Sequence, residues 1–167
     1  MLFGVALGHL GYIANDENYR PLLFLILLSV EANDVFAYVT GKTLGRSKMA
    51  PNTSPNKTTA GGVGALVLTT ALVTFLGHFV FTGTVLDSWP HLVVLGIIIS
   101  TVGQFGDLML SSVKRDLGIK DMGTIFPGHG GLLDRFDSLI LVAPAVFHYV
   151  NYFVGIGDQY PHVLTGG

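Results

Sequence analysis

The chain has 167 residues, of which 50% are hydrophobic and only 12% are charged, and its mean hydropathy is +0.58. About a quarter of the residues in an ordinary soluble domain are charged, so this composition excludes that class and favours a protein surrounded by lipid. The net charge of -2 is close to neutral, and the absence of cysteine excludes disulfides, thiolate catalysis and cysteine-bound metal sites.

Apolar segments follow one another along the chain. The first, Met1 to Ala14, is too short to cross about 30 Å of hydrocarbon, which takes about 20 helical residues. Because it lacks the basic region and cleavage site of a signal peptide, we interpret it as the remainder of a longer helix, with a re-entrant or interfacial helix as the alternative. The predicted spans are Pro21 to Thr40, Gly61 to Val85, Leu92 to Leu110 and Leu139 to Gly155.

The predicted fold is an all-α, polytopic transmembrane protein with about four full spans, a partial amino-terminal helix and polar loops. Residues 1–167 are expected to form a single membrane-embedded domain. Positive charge predicts the orientation, because basic loops stay on the cytoplasmic side of the inner membrane. The two basic loops carry Lys42, Arg46, Lys48 and Lys57, and Lys114, Arg115, Lys120 and Arg135.

Carboxylates lie within the spans and beside them. A carboxylate inside a span costs about 2.5 to 3.5 kcal/mol on insertion scales unless it faces water or a cation. Asp34 and Asp107 lie in predicted spans, and hydration at the interface is the alternative explanation for each. Asp134 and Asp137 follow the second basic loop at a spacing that places both on one face of the next helix. Asp107, Asp134 and Asp137 together predict a hard-cation site in which Mg²⁺ bridges protein oxygens and substrate phosphates.

The segment from Ser111 to Asp137 concentrates basic residues, aspartates and glycines between two apolar stretches. Glycine lets backbone N–H groups approach an anion closely, and Lys or Arg side chains neutralise phosphate. The segment therefore predicts a charged, phosphate-bearing substrate at the bilayer surface. Ordinary alternatives are a positive-inside anchor for Lys114 and Arg115, and a loop salt bridge for Asp121.

Short polar motifs recur at fixed spacings through this part of the chain. They are Asn33-Asp34, Ser54-Pro55-Asn56-Lys57-Thr58, Gly106-Asp107, Ser111-Ser112-Val113-Lys114-Arg115, Lys120-Asp121, Pro127-Gly128-His129-Gly130-Gly131 and Asp134-Arg135-Phe136-Asp137. Together they resemble the signature of the CDP-diacylglycerol synthase (phosphatidate cytidylyltransferase) family, and the chain resembles the carboxy-terminal half of that family. The resemblance implies a Mg²⁺-dependent membrane enzyme that joins CTP and phosphatidate, giving CDP-diacylglycerol and pyrophosphate.

The resemblance also implies roles for individual residues. The expected catalytic residues are Lys114, Arg115, Asp107 and Asp137, and the expected metal ligands are Asp107, Asp134 and Asp137. The expected substrate-binding residues are Ser54, Lys57, Ser111, Lys120, Asp121, Gly128, His129, Gly130, Gly131 and Arg135. We favour binding over general-base catalysis for His129, because the phosphatidate phosphate is already an anion. The resemblance implies that Ser54 and Lys57 help to hold the nucleotide, and Thr58 is expected to cap the next helix. An ordinary turn is the alternative for this loop.

Thr59-Ala60 stand where members of the family usually carry an aromatic residue and a glutamate. This departure, together with the short amino end, leaves open an inactive paralogue or a non-catalytic subunit. An ether-linked lipid phosphate is the alternative substrate. A transporter is disfavoured, because the charge collects at one membrane face without an internal repeat. The expected substrates are CTP and phosphatidate, and the expected surroundings are the lipid bilayer. A second copy of the chain or partner helices are possible protein partners, and no nucleic acid is expected. Binding of a second cation is left open.

Overall fold

The computed structural model describes residues 2–15, 20–51, 53–118 and 137–155. In these ranges the chain forms five helices and one two-stranded hairpin. The elements are α1 (Leu2–Asn15), α2 (Arg20–Leu44), β1 (Lys48–Ala50), β2 (Ser54–Thr58), α3 (Thr59–Val80), α4 (Trp89–Asp116) and α5 (Leu139–Val154). The predicted all-α class is confirmed, and the short hairpin occupies part of the first basic loop.

Three helices in the described ranges, α2, α3 and α4, are long and apolar enough to cross a membrane. A helix satisfies its backbone hydrogen bonds internally, which is why apolar segments adopt this structure in lipid. The protein is therefore a membrane protein. Helix α5 is apolar and ends within one residue of the predicted span, but its 16 residues rise only about 24 Å, less than the hydrocarbon thickness of about 30 Å. Helix α1 has 14 residues and is short, as predicted.

Helix α3 begins and ends at recognisable signals. Thr58 is its N-cap, and the side-chain oxygen of Thr58 accepts a hydrogen bond from Gly61 N at 3.1 Å, which confirms the predicted cap. The helix ends at Val80, before the predicted end at Val85. The chain turns here through Gly83, whose φ of 81° is a left-handed conformation that suits glycine.

Helix α4 continues past its predicted end at Leu110 as far as Asp116. Nothing between these residues interrupts a helix, and the positive φ of 68° at Gly118 follows its end. The polar residues from Ser111 to Arg115 therefore lie on the last turns of a helix, where the sequence predicted a loop.

A buried polar network ties the three long helices together. Asn33 Oδ1 on α2 accepts hydrogen bonds from Thr69 Oγ1 on α3 at 3.0 Å and from Ser100 Oγ on α4 at 2.6 Å. Gln104 Nε2 donates to Ser100 Oγ at 3.1 Å and to the carbonyl oxygen of Gly62 at 3.2 Å. In a membrane, interhelical hydrogen bonds of this kind fix the register of helices that apolar packing alone leaves free to slide.

Candidate active site

The hairpin is held against the end of α2 and the start of α3 by Thr58. Three glycines surround its side chain: a Cβ added at Gly41, Gly45 or Gly61 would lie 2.8, 2.6 or 3.0 Å from Thr58 Oγ1. Only glycine allows so close an approach at all three positions. Because successive residues of a strand point to opposite sides, anchoring Thr58 in this way directs Lys57 to the other side of β2.

Lys57 forms an ion pair with Asp107 of α4. Lys57 Nζ contacts Asp107 Oδ2, and both side chains are about three-quarters buried, with relative exposures of 27% and 21%. The other oxygen, Asp107 Oδ1, accepts a hydrogen bond from Ser111 Oγ at 3.4 Å. The sequence predicted a substrate-binding role for Lys57 and a metal-binding role for Asp107, but it did not predict that the two side chains meet.

Asp137 lies beside Asp107 because α5 begins against α4. A Cβ added at Gly106 would lie 3.0 Å from the carbonyl oxygen of Asp137 and 3.3 Å from the Cα of Ser138, so the absence of a side chain permits the contact. Asp137 Oδ1 accepts a hydrogen bond from Ser138 N at 2.7 Å. Burial, and after it the negative charge of Asp107, raises the pKa of Asp137 to about 6. Two carboxylates are therefore held together against their mutual repulsion.

A cavity of about 560 Å³ lies where the hairpin meets α2, α3 and α4. Its volume is typical of small-molecule sites. Asp34 and Asp107 supply negative charge to its wall, and Lys42 and Lys57 supply positive charge. The cavity lies at one end of the three long helices, since it is lined by the last turns of α2, the first turn of α3 and the second half of α4.

The described residues supply part of the predicted metal set. Asp107 and Asp137 are neighbours, and the charge of each acts on Asp34. Asp134 lies outside the described residues, within which no group of three or more His, Asp or Glu side chains could hold a metal ion. The donor chemistry nevertheless fits a hard divalent cation, because such an ion prefers carboxylate oxygens and would relieve their repulsion.

The remaining predicted residues fall into two groups. Ser54 lines the cavity, the charge of Lys114 acts on Asp137, and Arg115 is exposed on the last turn of α4. The predicted site residues that lie outside the described residues are Lys120, Asp121, Gly128, His129, Gly130, Gly131, Asp134 and Arg135. The role of every residue in both groups stays a prediction.

Asp34 is the cavity residue that the predicted site omitted. A signal was present in the sequence, because a carboxylate inside an apolar span is costly and marks a functional position by default. Hydration at the membrane interface explained the same pattern equally well. Lys42 was assigned only to a basic loop, and nothing in its sequence context indicated that it would share a cavity wall with Asp34.

The fold and the cavity define a polytopic membrane protein with a charged site at one end of its spans. The chain belongs to the cytidylyltransferase family, whose model matches residues 1–153. This confirms the family resemblance found in the motifs.

Named relatives agree with this assignment. Phosphatidate cytidylyltransferase of Rickettsia bellii is 42% identical over 154 residues, which cover 90% of this chain and 66% of that protein. Phosphatidate cytidylyltransferase of Bacillus subtilis is 37% identical over 138 residues, 83% of this chain and 50% of that protein. Escherichia coli YnbB, described as an uncharacterized protein, is 40% identical over 152 residues, 88% of this chain and 50% of that protein. The chain thus spans about half to two thirds of the length of these relatives.

Proposed function

We propose that the protein transfers the cytidylyl group of CTP to phosphatidate, giving CDP-diacylglycerol and pyrophosphate. Membership of the cytidylyltransferase family and the names of the relatives support this reaction. The observation that carries the proposal is the meeting of Lys57, Asp107 and Asp137 beside a cavity at one end of three membrane-spanning helices. A reaction between a soluble nucleotide and a membrane lipid needs a polar site at such a position.

The reaction joins two anions, so positive charge must offset their repulsion. A phosphatidate oxygen attacks the α-phosphorus of CTP, a new P–O bond forms, and the bond to the departing pyrophosphate breaks. The attacking oxygen already carries the charge it needs, so no general base is required. We assign phosphate neutralisation to Lys57 and Lys114, since an ammonium group is a compact charge with several donors. Positioning and electrostatics then supply most of the rate gain.

We propose Asp107 and Asp137 as ligands of Mg²⁺, together with Asp134 as predicted from the sequence. Mg²⁺ bound there would neutralise phosphate charge and hold the leaving pyrophosphate. Lys57 pairs with one oxygen of Asp107 and so holds this carboxylate in a fixed orientation. Asp34, on the same cavity wall, is available to a second cation or to a substrate hydroxyl.

We further propose that the site faces the cytoplasm from the inner membrane. The hairpin and the last turns of α4 carry the basic residues, and basic segments flanking spans stay on the cytoplasmic side. CTP then reaches the cavity from water, while phosphatidate enters from the adjoining leaflet.

The test is an assay with purified protein in detergent, labelled CTP, Mg²⁺ and phosphatidate. We expect a labelled CDP-lipid and equimolar pyrophosphate. Asp107→Asn and Asp137→Asn should each lower turnover by at least about a hundredfold, the scale expected for losing a central electrostatic contact. Lys48→Met, an exposed change on β1, serves as the control and should keep the wild-type rate.

Two results would contradict the proposal. One is a wild-type protein that folds and inserts but releases no pyrophosphate with phosphatidate or with an ether-linked lipid phosphate; this would favour an inactive paralogue or a subunit. The other is an Asp137→Asn variant with wild-type rates across a Mg²⁺ titration, which would remove Asp137 from the metal site.

A further inference from the structure

An apolar groove between α3 and α4 adjoins the charged cavity. A second cavity of about 240 Å³ shares Met49, Gly62 and Gln104 with the charged cavity. A third cavity of about 750 Å³ shares Leu66 with the second. The second and third cavities form what we call the α3–α4 groove, whose wall includes Val63, Leu66, Thr70, Ile97, Thr101 and Phe105.

The wall of the α3–α4 groove is apolar along the part nearer the charged cavity, although it includes threonines, and it becomes polar at the far end, where His78 contacts Asp87. Thr101 Oγ1 donates to the carbonyl oxygen of Ile97 at 2.6 Å, and Thr74 Oγ1 donates to the carbonyl oxygen of Thr70 at 2.7 Å. These hydroxyls are therefore satisfied within their own helices and leave their methyl groups to the surface. Thr70 Oγ1 is the exception among them, since it is buried with no hydrogen-bond partner in the described part of the chain.

Met49 and Gln104 pack against Gly62 at the boundary between the charged cavity and the groove. A Cβ added at Gly62 would lie 2.2 Å from Met49 Cε and 2.9 Å from Gln104 Oε1, so these side chains fill the space between the two cavities. Met49 is a flexible, unbranched side chain that can change rotamer to admit a ligand. Gln104 is held in place, because its amide nitrogen donates to Ser100 Oγ and to the Gly62 carbonyl oxygen.

We propose that the α3–α4 groove binds one acyl chain of the lipid phosphate substrate while the phosphate lies in the charged cavity. The inference rests on the proposed function and adds a subsite to it. Its support is the order of a polar cavity, a boundary that contains an unbranched methionine, and an apolar groove, which matches the order of headgroup, glycerol and hydrocarbon in a lipid phosphate. A helix of a second copy is the alternative occupant, and the labelling experiment below distinguishes it from an acyl chain.

The α3–α4 groove is longer than one leaflet, since its lining runs from Gly62 beside the charged cavity to His78 and Trp89 at the far ends of α3 and α4. Half of a hydrocarbon core of about 30 Å is about 15 Å, which corresponds to about ten helical residues. Counted from Gly62, this depth reaches Leu72 on α3. An acyl chain confined to one leaflet would therefore pass Leu66 and Thr70 and occupy only the half of the groove nearer the charged cavity. We expect affinity to rise with chain length until this depth is filled and to level off beyond it.

Two tryptophan substitutions on α3 form a matched test. Leu66 lines both cavities of the groove, whereas Leu68 is exposed on the same helix and lines neither. Leu66→Trp should raise the KM for dipalmitoyl phosphatidate by about tenfold, equivalent to losing roughly two buried methylenes. Its effect on dihexanoyl phosphatidate should be smaller, and its KM for CTP should not change. Leu68→Trp should behave as wild type.

A labelling experiment separates this inference from the proposed reaction. Phosphatidate with a diazirine at the end of one acyl chain is irradiated with the protein in phosphatidylcholine vesicles, and labelled residues are mapped by mass spectrometry. We expect label on groove residues of α3 and α4, and less of it in Leu66→Trp.

Equal labelling of Leu68 and the groove residues would overturn the inference, and so would substitutions that affect phosphatidates with long and short acyl chains equally. So would disulfide-linked dimers of Leu66→Cys without lipid label, since a second copy would then cover the groove. A protein with labelled groove residues but no turnover would contradict only the proposed reaction.

Discussion

Thr58→Val tests whether the Thr58 anchor positions Lys57, to which we assign phosphate neutralisation. Valine keeps the branched shape of threonine but has a methyl group in place of the hydroxyl. In the wild type, this hydroxyl accepts a hydrogen bond from Gly61 N at 3.1 Å. The lost cap costs about 1 kcal/mol, within a range of roughly 0.5 to 2. An energy of about 1 kcal/mol changes a population about fivefold, so a displaced hairpin becomes about five times more populated.

The functional consequence follows from the strand geometry. Lys57 precedes Thr58 on β2 and reaches Asp107 only while the hairpin stays seated on α2 and α3. We expect the melting temperature in detergent to fall by a few degrees and kcat to fall by up to about fivefold, with a smaller change in the KM for phosphatidate. Thr58→Ser keeps the hydroxyl and should restore kcat to near the wild-type value.

Comparing Thr58→Val with Thr58→Ser shows whether the Thr58 hydroxyl positions Lys57. A structural defect alone would lower the yield of folded protein but leave kcat per folded molecule unchanged. If Thr58→Val and Thr58→Ser have equal kcat values per folded molecule, the hydroxyl has no part in positioning Lys57, and the argument is refuted.

Other predictions test the ion pair, the polar network and the orientation. Lys57→Met should lower kcat by at least about a hundredfold, whereas the control Lys48→Met should keep the wild-type kcat. Equal rates of pyrophosphate release by the two variants would exclude a catalytic role for the Lys57–Asp107 ion pair. Asn33→Leu should destabilise the protein by about 1 to 2 kcal/mol, because two buried hydroxyls lose their acceptor, and an unchanged thermal unfolding curve in detergent would count against the network. In this cysteine-free chain, Lys48→Cys should be protected from a membrane-impermeant maleimide in intact cells, while Thr82→Cys, an exposed change beyond the end of α3, should be labelled. The reverse pattern would invert the proposed topology.

Local composition and periodicity were enough to predict the class of fold. Runs of apolar residues long enough to cross a bilayer have few structures open to them, because backbone polar groups in lipid must be paired internally. Helix ends were less predictable. Helix α4 extends to Asp116 because no helix-breaking residue precedes Gly118, whereas α3 is shorter than predicted because the chain turns at Gly83. The β1–β2 hairpin was missed, since its short strands carry polar residues typical of a loop.

The sequence by itself determined that this is a polytopic helical membrane protein of the cytidylyltransferase family, because its apolar runs and spaced polar motifs are properties of contiguous residues. Only the tertiary structure decided that Lys57 pairs with Asp107, that Asp137 lies beside them, and that the charged cavity adjoins the α3–α4 groove. These contacts join residues far apart in the chain, and they depend on how closely glycines such as Gly41 and Gly106 let the elements approach. No local pattern encodes such distances, since they follow from the packing of several helices at once.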